Sequence, residues 1–175
     1  MIDMNLLWAE RDKLEPCEGL PFELFEWIST VVPIPNVDLL VFNNQNEILL
    51  SWRDDEYYGK GWHLPGGCIR FKESIEDRIQ KTAIAELGTR VETSGVPIAT
   101  REMIMGKDDL MPIKRSHHIA MLFECRVPDD YNIDNRDLSE TDAGYLKWFK
   151  VVPDNMLEVH NIYNDMFIKY DLYDK

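Results

Sequence analysis

Between Val37 and Phe42 the apolar run is broken only by Asp38, which reads as a strand. Asn43–Asn44–Gln45–Asn46 is a turn signal, and Glu47–Arg53 reads as a second strand, so the two form a hairpin. Asp54–Gly61 is polar and bears tyrosines, which predicts a loop, and Trp62–Pro65 leads into the pair Gly66–Gly67. A helical period follows over Glu73–Leu87, with Ile75, Ile79, Ala83 and Leu87 on one stripe and Gly88 where a C-cap glycine belongs. Pro97–Met105 and His117–Val127 read as strands joined by a polar loop, Gly106–Arg115. Tyr145–Val151 is a further strand. Pro153–Tyr170 reads as a closing amphipathic helix, because Met156, Val159, Ile162, Met166 and Tyr170 recur at helical steps. Ahead of a soft boundary at Pro33–Pro35, Leu20–Ile28 reads as a short amphipathic helix with proline in its first turn. Helix, strands, helix, strands, helix predicts an α/β fold with a mixed sheet sandwiched between helices. Residues 1–175 are read as one domain: an N-terminal extension (1–34), a core (35–152) and a C-terminal helix (153–175).

Composition narrows the function. A chain of 175 residues, 45% hydrophobic, is long enough for one sizeable core. It contains no run of apolar residues that would span a bilayer, and its first residues do not form a secretory signal, so the cytoplasm is the expected compartment. A net charge of −13 argues against nucleic acid and anionic membranes as partners, since no basic surplus displaces counterions. Cys17, Cys68 and Cys125 lack metal-type spacing and are expected to be reduced thiols.

The candidate chemistry lies in a loop–helix–loop. Gly67 is followed by Glu73, and Lys81 by Glu86 and Gly88. Glycines let the backbone approach a ligand closely. Positions 82, 85 and 86 share a helix face, and a carboxylate there offers the oxygen donor that Mg²⁺ or Mn²⁺ prefers. The spacing resembles the Nudix box, G-x5-E-x7-R-E-U-x-E-E-x-G-U. Thr82 and Ala85 stand where that family has further glutamates, so one cation rather than several is expected at Glu86. Glu73 has favourable charge for the helix N-terminus. The resemblance also implies that it braces the basic residue of the box, here Lys81, a point charge in place of a guanidinium fork.

The thinned acid set is similar to that of the GDP-mannose mannosyl hydrolase subgroup, whose box also ends Ala–Glu–Leu–Gly. This similarity extends from about Phe22 to the C-terminus and takes in Leu49–Arg53, Gly61–Gly67 and His118–Leu122. It implies a Nudix-type α/β/α sandwich and hydrolysis at the sugar's anomeric carbon, with release of nucleoside diphosphate. It implies metal ligation by the Gly66 carbonyl, Glu86 and Asp142, diphosphate contact by Arg53, and an acidic pocket residue at Asp38. A possible homodimer follows from the same resemblance. The subgroup's histidine and arginine fall on Ala143 and Cys68. Arg70 is the nearest substitute for the arginine. Glu140 is the first choice of general base, with Asp142 in the same loop. His117 and His118 lie on opposite strand faces, and of the two His118 is the choice for substrate binding. Tyr57, Tyr58, Lys60 and Trp62 fit either a base-stacking surface or a loop packed on itself. Three readings follow: a nucleotide-sugar hydrolase, a pyrophosphohydrolase attacking phosphorus, and a non-catalytic nucleotide-binding module.

Overall fold

The computed structural model describes residues 3–104 and 117–173. Its elements are α1 (Met4–Arg11), α2 (Phe22–Ser29), β1 (Ile34–Phe42), β2 (Ile48–Asp55), β3 (Gly59–His63), β4 (Gly66–Cys68), α3 (Ile75–Leu87), β5 (Ala99–Ile104), β6 (His117–Arg126), β7 (Leu146–Phe149), a 3-10 segment (Glu158–Tyr163) and α4 (Asn164–Lys169). The strands make one sheet in the order β3-β2-β1-β6-β5, with β4 also on β1 and β7 also on β2. β1 and β6 run parallel from Ile34↔His118 to Phe42↔Arg126, and the other pairings are antiparallel. The sheet is therefore mixed, as the order of elements predicts.

Both faces of the sheet are covered, which explains the apolar run Leu39–Phe42 in β1. Alternation sends Val37, Leu39 and Val41 to a core shared with Ile79, Ala83 and Leu87 of α3. It sends Leu40 and Phe42 to a core shared with Tyr163, Met166, Phe167 and Leu172. Ile75, at the start of the predicted stripe, is exposed instead. The helix start is fixed by Ser74, whose hydroxyl accepts the Asp77 N–H at 3.0 Å. The helix ends at Gly88, left-handed at φ +73°, whose N–H donates to the Ile84 carbonyl.

β4 falls on the glycine pair, which the sequence reading placed in a loop, and three further elements differ from that reading. The polar stretch before the glycine pair contains β3, paired along β2 from Ser51↔His63 to Asp55↔Gly59. Asp55 Oδ1 builds the turn by accepting the Tyr57 and Tyr58 N–H groups, and Gly59 closes it at φ +80°. The closing helix is also broken. Asn155 and Leu157 exchange backbone hydrogen bonds with Trp62, which holds this stretch extended, and helical backbone resumes only at Glu158. Third, α1 precedes α2, capped by Asp3, which accepts from Asn5 and Leu6. The predicted loop Gly106–Arg115 lies outside the described residues.

Candidate active site

The site forms where β4 crosses the start of β1 under α3. Asp38 sits opposite Gly66 in the β1–β4 register. A Cβ on Gly66 would lie 2.6 Å from Asp38 Oδ1, and one on Gly67 would lie 2.7 Å from Thr82 Oγ1. Glycine is required at 66 by the close approach of β1 and at 67 by the close approach of α3. The Gly66 N–H donates to Glu86 Oε1 at 3.0 Å. Two carboxylates, one from the sheet and one from the helix, therefore flank the same glycine.

Their electrostatics are unusual. Burial pushes Asp38 up to about 6, although Tyr163 donates to its Oδ2 at 2.7 Å and Asn36 to its Oδ1 at 2.8 Å. Burial likewise pushes Glu86 up to about 7, aided by the charge of Asp38 and opposed by the Gly66 N–H and Arg53. Arg53 is the cation acting on both. It pairs with Asp55 and lies 4.7 Å over the Tyr58 ring.

Two histidines that the sequence reading did not select complete the far wall. His63 Nδ1 bonds to the Leu64 carbonyl at 2.7 Å, and the Leu64 N–H donates to His160 Nε2 at 3.2 Å. The rings stack with centroids 6.4 Å apart. Burial depresses His63 to about 4 and His160 to about 3, so both are neutral near pH 7. Together they hold the backbone two residues ahead of Gly66. His160 was hidden in an amphipathic pattern, and His63 in a stretch read as a lead-in.

A cavity of about 150 Å³ opens here, lined by Asp38, Arg53, His63, Gly66, His118 and His160, among others. The structure thus brings together Asp38, Arg53, Gly66 and His118, with Glu86 behind Gly66. It leaves others outside. Glu140 is exposed and pairs with Lys147 at 2.6 Å. Asp142 is exposed and closes its own turn, with its carboxylate accepting the Ser139 hydroxyl and N–H, which lowers its pKa. Neither residue lines the cavity. Arg70 lines a separate cavity under the N-terminal extension. His117 faces away and pairs with Glu102 at 3.2 Å.

Glu73 is a brace. Its carboxylate accepts Arg78 Nε and Nη2 at 2.7 and 2.8 Å, the Arg70 N–H at 2.9 Å and Lys81 at 3.1 Å. Burial raises its pKa, but these partners outweigh burial and hold it near about 2. The fork expected to be lost at Lys81 is supplied by Arg78, one helical turn earlier.

The donor set fits a divalent cation in one specific way. Among the described residues, no three His, Cys, Asp or Glu side chains form a ready cage. Mg²⁺ is commonly held by one or two carboxylates plus substrate phosphates and water. Two desolvated carboxylates beside a backbone turn, opposed by a single arginine, meet that need. Glu86 and the Gly66 backbone would hold the ion.

Fold and site together define an α/β/α sandwich that presents a glycine turn and a helix carboxylate to a buried acidic cleft. Solved structures share this fold. A MutT protein from Methanosarcina mazei Go1 superposes with a TM-score of 0.57 at 18% identity, over 81% of this chain and 95% of that one. A bifunctional NMN adenylyltransferase/ADP ribose pyrophosphatase from Francisella tularensis, complexed with AMP and a Mn ion, superposes with a TM-score of 0.56 at 19% identity, over 82% of this chain and 44% of that one. The low-salt glycan biosynthesis protein Agl8 of Haloferax volcanii is 30% identical over 116 residues, 66% of this chain and 73% of that protein. The NUDIX domain model matches residues 32–154, and the chain belongs to the Nudix family of hydrolases. Members of that family act on nucleoside diphosphate derivatives and generally use divalent cations.

Proposed function

We propose that this chain is a Mg²⁺- or Mn²⁺-dependent hydrolase of a nucleoside-diphosphate sugar of the GDP-mannose kind, releasing nucleoside diphosphate and free sugar. The observation that carries this reading is the pairing of Asp38 and Glu86 about Gly66, with Thr82 and Ala85 leaving Glu86 as the one carboxylate on that helix face. So thin an acid set suits one cation that holds a diphosphate as leaving group. The 30% identity to a protein named for glycan biosynthesis supports a sugar nucleotide as substrate.

In this reading Arg53 exchanges its Asp55 partner for the diphosphate and meets the charge that grows there. The bound cation supplies Lewis-acid stabilisation of the departing diphosphate. Glu140 and Asp142 are held at the surface by other partners, so base duty falls to Asp38. At about 6 its pKa is matched to a neutral working pH, and Tyr163 and Asn36 fix its orientation. Water loses its proton to Asp38 and its oxygen bonds to the anomeric carbon. The bond from that carbon to the diphosphate oxygen breaks, and its electrons stay on the diphosphate. His118 lines the same cavity as a substrate contact. Attack at phosphorus is the second reading, favoured by Cys68 and Ala143 at positions where the mannosyl subgroup has an arginine and a histidine.

The test is turnover of a nucleotide-sugar panel with Mg²⁺ or Mn²⁺, read as free sugar and nucleoside diphosphate. Metal-dependent release from GDP-mannose or a related sugar nucleotide supports the proposal. Release of nucleoside monophosphate and sugar phosphate would instead assign the chain to the phosphorus-attacking class.

A further inference from the structure

A second cavity, of about 370 Å³, lies between the N-terminal extension and the loop that follows β4. That volume falls within the range of small-molecule sites, roughly 300–1,000 Å³. Its walls are apolar: Leu20, Phe25 and Ile28 from the extension, Ile34 from β1, and Ile69 and Phe71 from the loop. Two guanidinium groups also line it, those of Arg78 and Arg70. Arg78 is committed to Glu73 through Nε and Nη2.

Arg70 is different. It is half-buried, and its guanidinium makes no hydrogen bond or ion pair among the described residues. A Cβ on Gly19 would lie 3.5 Å from its Cζ and 3.6 Å from its Nε and Nη2, so the group runs against the backbone of the extension. Gly19 is left-handed at φ +115°, a conformation that suits glycine. The nearby acid, Glu73, already takes Arg78 and Lys81. Among the described residues no acidic side chain meets this guanidinium. A half-buried cation without a counterion, set in an apolar wall, complements an anion with an apolar body.

We propose that this cavity is a binding site for a small amphipathic anion. Its carboxylate or phosphate head pairs with Arg70, and its alkyl or similarly apolar body fills the space beneath α2. The site is separate from the acidic cleft, and the two share only Cys68 among their lining residues. It requires no metal and no reaction.

Decyl phosphate and decanoate, below their aggregation concentrations, are suitable probes. 1-Decanol serves as the uncharged control and inorganic phosphate as the headless one. Titration calorimetry on the full chain is expected to show one site for each anion, with weaker binding of decanol and of phosphate. Arg70→Gln should weaken both anions by about tenfold or more while leaving decanol unchanged. Leu20→Trp, which fills the cavity without touching the charge, should exclude all three alkyl probes. On the wild-type protein, methyl chemical shifts of Ile28, Ile34 and Ile69 should move while Ile162 and Met103 of the cleft stay still. Equal affinity for decanol and decanoate, unchanged binding in Arg70→Gln, absence of binding by both anions, or shifts confined to the cleft would each overturn the proposal.

Discussion

Glu86 and Asp38 are held by different partners but share one difficulty, a carboxylate with little water around it. For Glu86 the Gly66 N–H relieves part of that, and a glutamine can accept the same bond. Glu86→Gln should therefore keep its fold by circular dichroism and thermal melting while metal-dependent turnover falls on the order of 100-fold or more. Near wild-type turnover in that variant would remove Glu86 from the site. Glu73 behaves in the opposite way. Its ordinary carboxyl value of 4.5 drops to about 2 in the folded chain, so its stabilisation is present above about 4.5 and lost as pH falls toward 2. Glu73→Gln should lower stability by about 3 kcal/mol near neutral pH, with less than half that difference at about pH 3. Urea unfolding at the two pH values reads this directly. Spacing alone picked out Glu73, Glu86 and the glycine pair. It did not pick out Arg78 as the fork on Glu73, because the family pattern places that duty at Lys81. Nor did it pick out His63 or His160, whose roles depend on Leu64 being gripped from both sides by residues far apart in sequence.

The contact of β4 with α3 sets the position of the glycine turn. Thr82 Oγ1 is buried without a hydrogen-bond partner and lies where a Gly67 side chain would begin. Gly67→Ala should thus destabilise by about 1–3 kcal/mol through overpacking. Thr82→Ala removes an unsatisfied buried hydroxyl and should be nearly neutral alone. Combined, the two should cost less than Gly67→Ala by itself, and denaturant midpoints for the four proteins give the coupling. Strictly additive costs would show that strand and helix do not meet there. β1, β2, β5, β6, β7 and α3 were legible in the sequence because burial and period agree along them. β3 was not, since two glycines and a lysine carry no apolar alternation and its register comes from β2. Gly61 is there because the C-terminal segment crosses over it, with Asn155 O 2.6 Å from where a Cβ would sit. The same crossing explains why helical spacing after Pro153 did not give one continuous helix: backbone pairing to Trp62 outcompetes it.

At the scale of the whole molecule, 13 excess negative charges surround a cleft that is itself acidic. The folded protein binds protons at Asp38 and Glu86 more tightly than the unfolded chain, so stability falls as pH rises through their range. His63 and His160 work in the opposite sense below their ordinary 6.5, because they are buried neutral. The two pairs nearly cancel, so the metal-free protein should keep almost constant urea resistance between about pH 5 and 8. Glu86→Gln or added Mg²⁺, each of which removes a proton-binding carboxylate from the folded state, should make stability rise with pH over the same interval, and an unchanged profile in Glu86→Gln would show that Glu86 is not held protonated. In the proposed reaction the cleft directs water to the carbon of a sugar while a cation holds the diphosphate. Hydrolysis of GDP-mannose in ¹⁸O-labelled water with Mg²⁺ or Mn²⁺, followed by mass spectrometry of both products, tests it most directly. The label should appear in the free sugar and not in the released nucleotide; label on phosphate would mean that water attacks phosphorus and that the proposed reaction is wrong.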